Sequence, residues 1–225
     1  MQEPKGMFGP HVSAAIDKLS KCYGNVHVTA SKSGKLTKDH FSQFVVSIIK
    51  PYCNDNEFLL ILDSWGGQTD PAHFNSVFTD DDGNCSSTVE IIPPHCTPYC
   101  QPCDVYFFRQ VKNFVRRIQN SVEVLQQNRQ LFSREDAIKI HSLIHSQLSA
   151  AVFTDMIKYA WFASKLIPQR NVFGNVNKIC FPPDLRKNKC VCGIPSFIHC
   201  ANCKKFICFK CFYDVYHPSD CSASK

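Results

Sequence analysis

Apolar side chains recur along this chain with two different periods. Asn25-Val-His-Val-Thr-Ala30 alternates polar and apolar positions, which predicts a half-buried strand over 25–30. After a turn at Ser33-Gly34, Phe41, Phe44, Val45, Ile48 and Ile49 return every three or four residues behind Thr37, a good N-cap residue. That spacing predicts an amphipathic helix over 38–49, which Pro51 helps to end. Phe58-Leu-Leu-Ile-Leu62 is short, continuous and apolar, the pattern of a central strand covered on both faces. A helical stretch over 72–78, an acidic loop at Asp80-Asp81-Asp82-Gly83 and a second strand over 88–92 follow.

Beyond Pro93-Pro94 and a cysteine-rich turn, Asp104 opens a long helix. Its expected buried stripe is Val105, Phe108, Val111, Val115, Ile118, Val122 and Leu125, with Arg109, Lys112 and Arg116 on another face. Two further helices are expected over 133–167. Ser133-x-x-Asp136 has the form of a capping box, and Ile138, Ile144, Leu148, Met156, Ile157, Ala160 and Trp161 supply apolar faces. Strands interleaved with helices place the chain in the α/β class, a mixed sheet flanked by helices. Three parts are expected: an α/β domain over 1–130, a helical extension over 131–189 and a cysteine-rich module over 190–225.

Cysteine changes the picture most. The chain has 225 residues and 14 cysteines, seven of them between Cys190 and Cys221. The longest apolar run, Phe58–Leu62, is far short of the ~20 residues a membrane helix needs, and MQEPKGMFGP lacks the form of a signal peptide. The expectation is a soluble intracellular protein with no membrane partner, in which thiols stay reduced and favour zinc over disulfides. The candidates are Cys190, Cys192, Cys200, Cys203, Cys208, Cys211, His217 and Cys221, enough for two closed tetrahedral zinc sites. Their order is similar to cross-brace modules of the B-box type and to the cysteine-rich tails of some transposases. An interleaved arrangement would put Cys190, Cys192, Cys208 and Cys211 on one ion and Cys200, Cys203, His217 and Cys221 on the other. His199 is an alternative to Cys200. Phe197, Phe206, Phe209, Phe212 and Tyr213 are expected to fill the module, with base stacking as the competing use. His95, Cys96, Cys100 and Cys103 form a second cluster better explained by packing, and His141 and His145 share a helix face without the Glu of a metalloprotease motif.

Charge is uneven. Residues 1–104 carry 7 Lys/Arg against 12 Asp/Glu, whereas residues 105–189 carry 14 against 5. The basic middle, with Arg109, Lys112, Arg116 and Arg117 on one helix, suits phosphate backbones.

Two carboxylates stand out. Asp63 ends the apolar strand, where open α/β sheets place their chemistry, and Asp104 starts the long helix. Facing carboxylates call for a proton or a hard divalent cation, and the bland alternative is that each only caps local structure. Leu59-Leu-Ile-Leu-Asp63-Ser-Trp, then Pro93-Pro-His-Cys-Thr97-Pro-Tyr-Cys-Gln101-Pro-Cys-Asp104 and a basic helix, resembles the DDE superfamily of transposases and endonucleases, nearest the pogo, Tigger and jerky group. Gln2-Glu-Pro-Lys-Gly6 and Ser33-Gly-Lys-Leu-Thr37 extend the resemblance over about residues 1–125.

The resemblance implies a partial RNase H-like fold, Mg²⁺ or Mn²⁺ at Asp63 and Asp104, DNA as substrate and a nuclear location. It also implies a first catalytic Asp on a strand that would precede Met1, so strand transfer by this chain alone is not expected. The competing expectations are a non-enzymatic DNA- or protein-binding factor working through the zinc module and, more weakly, a B-box-like scaffold.

Overall fold

The computed structural model describes all residues except 55, 71, 126–129, 132, 217–220 and 222–225; the side chains of residues 73 and 125 are likewise outside the description. The chain divides into two compact units. Met1–Pro10 and Thr29–Val105 form the first, and His11–Val28 and Tyr106–Lys225 form the second. Helix α1 (Pro10–Cys22) therefore runs almost wholly in the second unit. The boundaries expected at 130 and 189 mark no change of unit, because one continuous core runs from the long helix into the cysteine-rich segment.

In the first unit, Thr37 caps α2 (Lys38–Phe44) by accepting from the His40 N–H at 3.3 Å. The helix continues through a π-helical turn, Val45–Ile49, into α3 (Lys50–Cys53), so Pro51 does not end it. Proline lacks an N–H and its ring crowds the carbonyl one turn back; the wider π turn immediately before Pro51 relieves both demands. Asn54, at φ 45°, ends the helix in the left-handed conformation.

Strand β1 (Phe58–Leu62) pairs in parallel with β2 (Ser87–Ile91), Leu62 opposite Ile91, and α4 (Ala72–Phe78) makes the crossover. One face packs on Phe41, Val45, Ile49, Phe74 and Phe78. Phe58 meets Phe78 edge to face at 4.9 Å and Phe41 meets Phe74 likewise at 5.9 Å. The other face is not covered as expected: Leu59 is 50% exposed. Among the described residues the sheet has these two strands alone, too few to carry a second layer.

The strand expected over 25–30 does not form; an isolated parallel bridge, Gln2 to Ser31, stands beside it. The segment changes unit at Val28/Thr29, and Asn25 is held by Ser142, accepting from its hydroxyl at 2.6 Å and donating to its carbonyl at 3.0 Å. A segment shared in this way cannot stay in one ladder.

After the single-turn helix α5 (Thr97–Cys100) and a π-helical turn, Cys103–Phe107, the long helix α6 spans Phe108–Leu125. The expected stripe holds through Val111, Val115, Ile118 and Val122, which are buried in or packed against the core, and fails at Phe108, just after the π turn. Phe114, Ile118 and Val122 are buried, Phe107 and Val111 pack against the core, and Phe108 is 43% exposed. Ser133 and Asp136 form the full capping box of α7 (Arg134–Leu148). In α8 (Thr154–Ala163) Met156 and Ala160 are buried but Ile157 is exposed. The short helix α9 (Val176–Cys180) and the hairpin β3 (Ile198–His199) and β4 (Phe206–Ile207) complete the unit. Phe197, Phe209, Phe212 and Tyr213 are buried against Phe114, Leu143, Phe153 and Phe181, so these aromatics fill a core shared with the helices.

Candidate functional site: a carboxylate sheet edge and two thiol clusters

Asp63 follows Leu62 directly, at the carboxyl end of β1. The ladder continues one step further, Ile92 N–H donating to the Leu62 carbonyl at 2.7 Å, so the turn that leads to Asp104 leaves from the same edge. Asp63 Oδ1 accepts from the Trp65 N–H at 3.0 Å and from Gln68 Nε2, which fixes the half-buried carboxylate against its own loop. Asp104 is exposed, and its N–H donates to the Gln101 carbonyl at 3.0 Å inside the π turn. The Gln101 side-chain oxygen is buried with no hydrogen-bond partner among the described residues. Asp63 and Asp104 thus share one unit, but among the described residues they join no group of three or more clustered ligand atoms.

The thiols do form such groups. Cys190, Cys192, Cys208 and Cys211 place their sulfurs within 4.8 Å of one another, and Cys200, Cys203 and Cys221 do the same. His217 lies outside the described residues. Two tight turns make the first group: Cys190 N–H donates to the Ile194 carbonyl at 2.9 Å around Gly193, whose φ of 82° suits glycine, and Cys208 shortly precedes a π-helical turn, Cys211–Val215. The β3–β4 hairpin makes the second, its loop closed by Cys200 N–H to the Lys205 carbonyl at 2.9 Å and by Lys204 at φ 59°.

The geometry fits a metal. A tetrahedral zinc with Zn–S bonds of ~2.3 Å separates its sulfurs by about 3.8 Å, whereas a disulfide needs about 2.05 Å. Here Cys192 and Cys208 are 3.5 Å apart, Cys192 and Cys211 3.7 Å, and Cys200 and Cys221 3.5 Å. Burial opposes ionisation of Cys190, yet backbone N–H groups and neighbouring thiols bring it down to about 7. Burial first, and then the adjoining sulfurs, push Cys211 up to about 12. Four such thiols become thiolates together only around a cation. His199 is not in either group, since its Nδ1 meets the Ile179 carbonyl at 3.1 Å and its ring lies against Phe206.

One contributor escaped the sequence analysis. Gln147 on α7 is wholly buried; it donates to Cys200 Sγ at 3.3 Å and to Tyr216 Oη at 3.2 Å, and accepts from the Ala201 N–H at 2.8 Å. The available signal was its spacing, because position 147 falls on the buried face of Leu143, Ile144 and Leu148.

The basic side chains Arg109, Lys112, Arg116 and Arg117 are all exposed on α6. His141 and His145 are exposed too, and His145 Nδ1 lies 3.3 Å from Asn25 Nδ2. His95, Cys96, Cys100 and Cys103 form no group of clustered ligand atoms. No helix among the described residues is long and apolar enough to cross a membrane.

The family model for the DDE superfamily endonuclease matches residues 12–172, a span that contains both carboxylates and all of α6. Comparison with curated proteins gave no match, and neither did comparison with solved structures.

Proposed function

The chain belongs to the DDE superfamily endonucleases, and from that premise we propose that its first unit is the RNase H-like core of a transposase-type nuclease acting on DNA in the nucleus. Asp63 and Asp104 hold Mg²⁺ or Mn²⁺, the oxygen donors that hard cations select. Arg109, Lys112, Arg116 and Arg117 meet the phosphate backbone. The observation that carries this reading is the family match spanning a parallel β1–β2 pair whose carboxyl edge leads into both carboxylates. At such a site the cation supplies charge for the attacking and leaving oxygens, and the fixed Asp63 loop supplies orientation.

The test has two readouts. Mn²⁺ titration followed by electron paramagnetic resonance should show a bound ion that is lost in Asp63→Asn and in Asp104→Asn. Where Mn²⁺ supports nicking of supercoiled plasmid, that nicking should be lost in the same variants. Ion binding unchanged in both would remove Asp63 and Asp104 from the site.

A second reading is favoured by the two assembled thiol groups: a zinc-bearing factor that binds DNA or protein through residues 190–221 without cleaving. The two groups hold one zinc each, with His217 as the fourth ligand of the second. Under this reading Cys208→Ser abolishes binding to DNA or partner, whereas Asp104→Ala leaves it intact.

A further inference from the structure

The second unit contains a cavity of about 690 Å³ whose lining includes neither candidate carboxylate and borders the first thiol group at Cys208. Its cations come from three separate segments: Arg117 on α6, Arg186 in the turn Leu185–Lys187, and Lys210 just after Cys208. Ser121 adds a hydroxyl. No Asp or Glu lines the cavity, and no described carboxylate forms an ion pair with any of the three cations. The remaining wall is apolar, with Phe181, Leu185, Phe197 and Phe209 prominent. The Arg117 guanidinium sits over the Phe181 ring at 5.5 Å, a cation–π contact that holds it in place without neutralising it.

These features select an occupant. Three cations lining one cavity, with no described carboxylate paired to them, favour an anion, and such cations suit a phosphate. A bare phosphate has no use for an apolar interior of this size, which is in the range of pockets that enclose a small organic molecule. A guanidinium plane and aromatic walls suit a base. We propose that the cavity receives one nucleotide of a DNA strand, its phosphate among Arg117, Arg186 and Lys210 and its base against the apolar wall. This rests on the reading of the chain as a protein that acts on DNA, which selects a nucleotide among anions. Because Cys208 adjoins Phe209 and Lys210, the same short segment serves the first thiol group and the cavity.

The test uses the full chain loaded with zinc. Calorimetry measures binding of thymidine monophosphate, inorganic phosphate and an oligoglutamate peptide, and fluorescence anisotropy measures binding of a labelled thymidine oligonucleotide. Ser121→Phe fills the cavity without changing charge, the Arg186→Ala/Lys210→Ala pair removes the phosphate contacts, and Lys187→Ala on the same turn but outside the cavity is the control. The expected result is binding of the mononucleotide and oligonucleotide that falls about tenfold or more in both cavity variants and stays unchanged in the control, the scale of one lost stacking or phosphate contact. Equal loss in Lys187→Ala would reduce the effect to diffuse charge and overturn the proposal. So would phosphate binding as tightly as the mononucleotide, or the peptide displacing the oligonucleotide. Mn²⁺ binding separates the two readings: Mn²⁺ bound at Asp63 and Asp104 with no mononucleotide bound defeats the cavity assignment alone, and mononucleotide binding lost in Ser121→Phe with no Mn²⁺ bound defeats the nuclease alone.

Discussion

Gln147 on α7 donates its side-chain N–H to the sulfur of Cys200 across 3.3 Å, with both residues wholly buried. A helix that carries none of the clustered thiols thus reaches into one of the thiol groups. Charge-assisted N–H···S bonds favour the thiolate, and burial makes their loss expensive. Gln147→Leu also strands the Ala201 N–H, whose acceptor is the same amide at 2.8 Å. We expect zinc affinity of the Cys200, Cys203 and Cys221 site to fall about 10- to 100-fold, in line with other outer-sphere ligand partners, while the first site keeps its affinity. Competition against a chromophoric chelator measures both, and equal weakening of the two sites would show that Gln147 acts on folding alone.

Zinc removal should melt more than the cysteine-rich segment. Phe197, Phe209, Phe212 and Tyr213 belong to one core with Phe114 and Leu143. Structural zinc contributes roughly 10–16 kcal/mol in small peptides, comparable to the ~5–15 kcal/mol net stability of a whole domain. Chelation should therefore remove amide-exchange protection from α6 and α7 together with the hairpin. Retained protection at Leu143 after loss of protection at Ile198 would show that the helices stand without the metal.

The clustering of the thiols was legible because closely paired cysteines announce themselves whatever surrounds them. Strand β1 was legible for a similar reason, an uninterrupted apolar run ended by Asp63. The entry to α6 was not. The π turn at Cys103–Phe107 turns Phe107 to the core and leaves Phe108 exposed, while Val111, Val115, Ile118 and Val122 keep the expected face, and nothing in a hydrophobic pattern marks an added residue. The separateness of the cysteine-rich segment was overread, since cysteine density reports ligands and not where the aromatics between them pack. The Asn25–Ala30 alternation misled because periodicity ignores which unit each half of the segment joins.

Tyr213 ties the last helical turn to the start of α7. Its hydroxyl donates to Asp136 Oδ1 at 2.7 Å, and the other carboxylate oxygen accepts from the Ser133 hydroxyl at 2.7 Å and the Ser133 N–H at 3.3 Å. One carboxylate therefore serves as capping box and tertiary anchor. Tyr213→Phe should cost about 1–2 kcal/mol, and Ser133→Ala about 1 kcal/mol. Because both bonds converge on Asp136, their effects should not add: a double-mutant cycle from urea unfolding should return a coupling of about 0.5 kcal/mol or more. Additivity within error would mean that Asp136 holds each partner independently.

Thiol chemistry offers a test outside the two clustered thiol groups. Cys180 is fully buried, and desolvation pushes its thiol up to about 12. Cys85 is exposed, and hydrogen bonding to Ser87, side chain first and backbone next, draws its thiol below the usual 9.0. The thiolate is the species that attacks an alkylating agent, so access and ionisation act in the same direction at both sites. In zinc-loaded protein at pH 8, iodoacetamide should label Cys85 early and Cys180 only as the protein unfolds, with mass spectrometry of peptides reading each site. The raised value also has a sign for stability. The unfolded chain releases the Cys180 proton near the ordinary thiol value while the folded chain retains it, so stability is lost as pH rises from about 9 towards about 12. Cys180→Ala should flatten that alkaline slope relative to its own value at pH 8, and an unchanged slope would show that another group controls it.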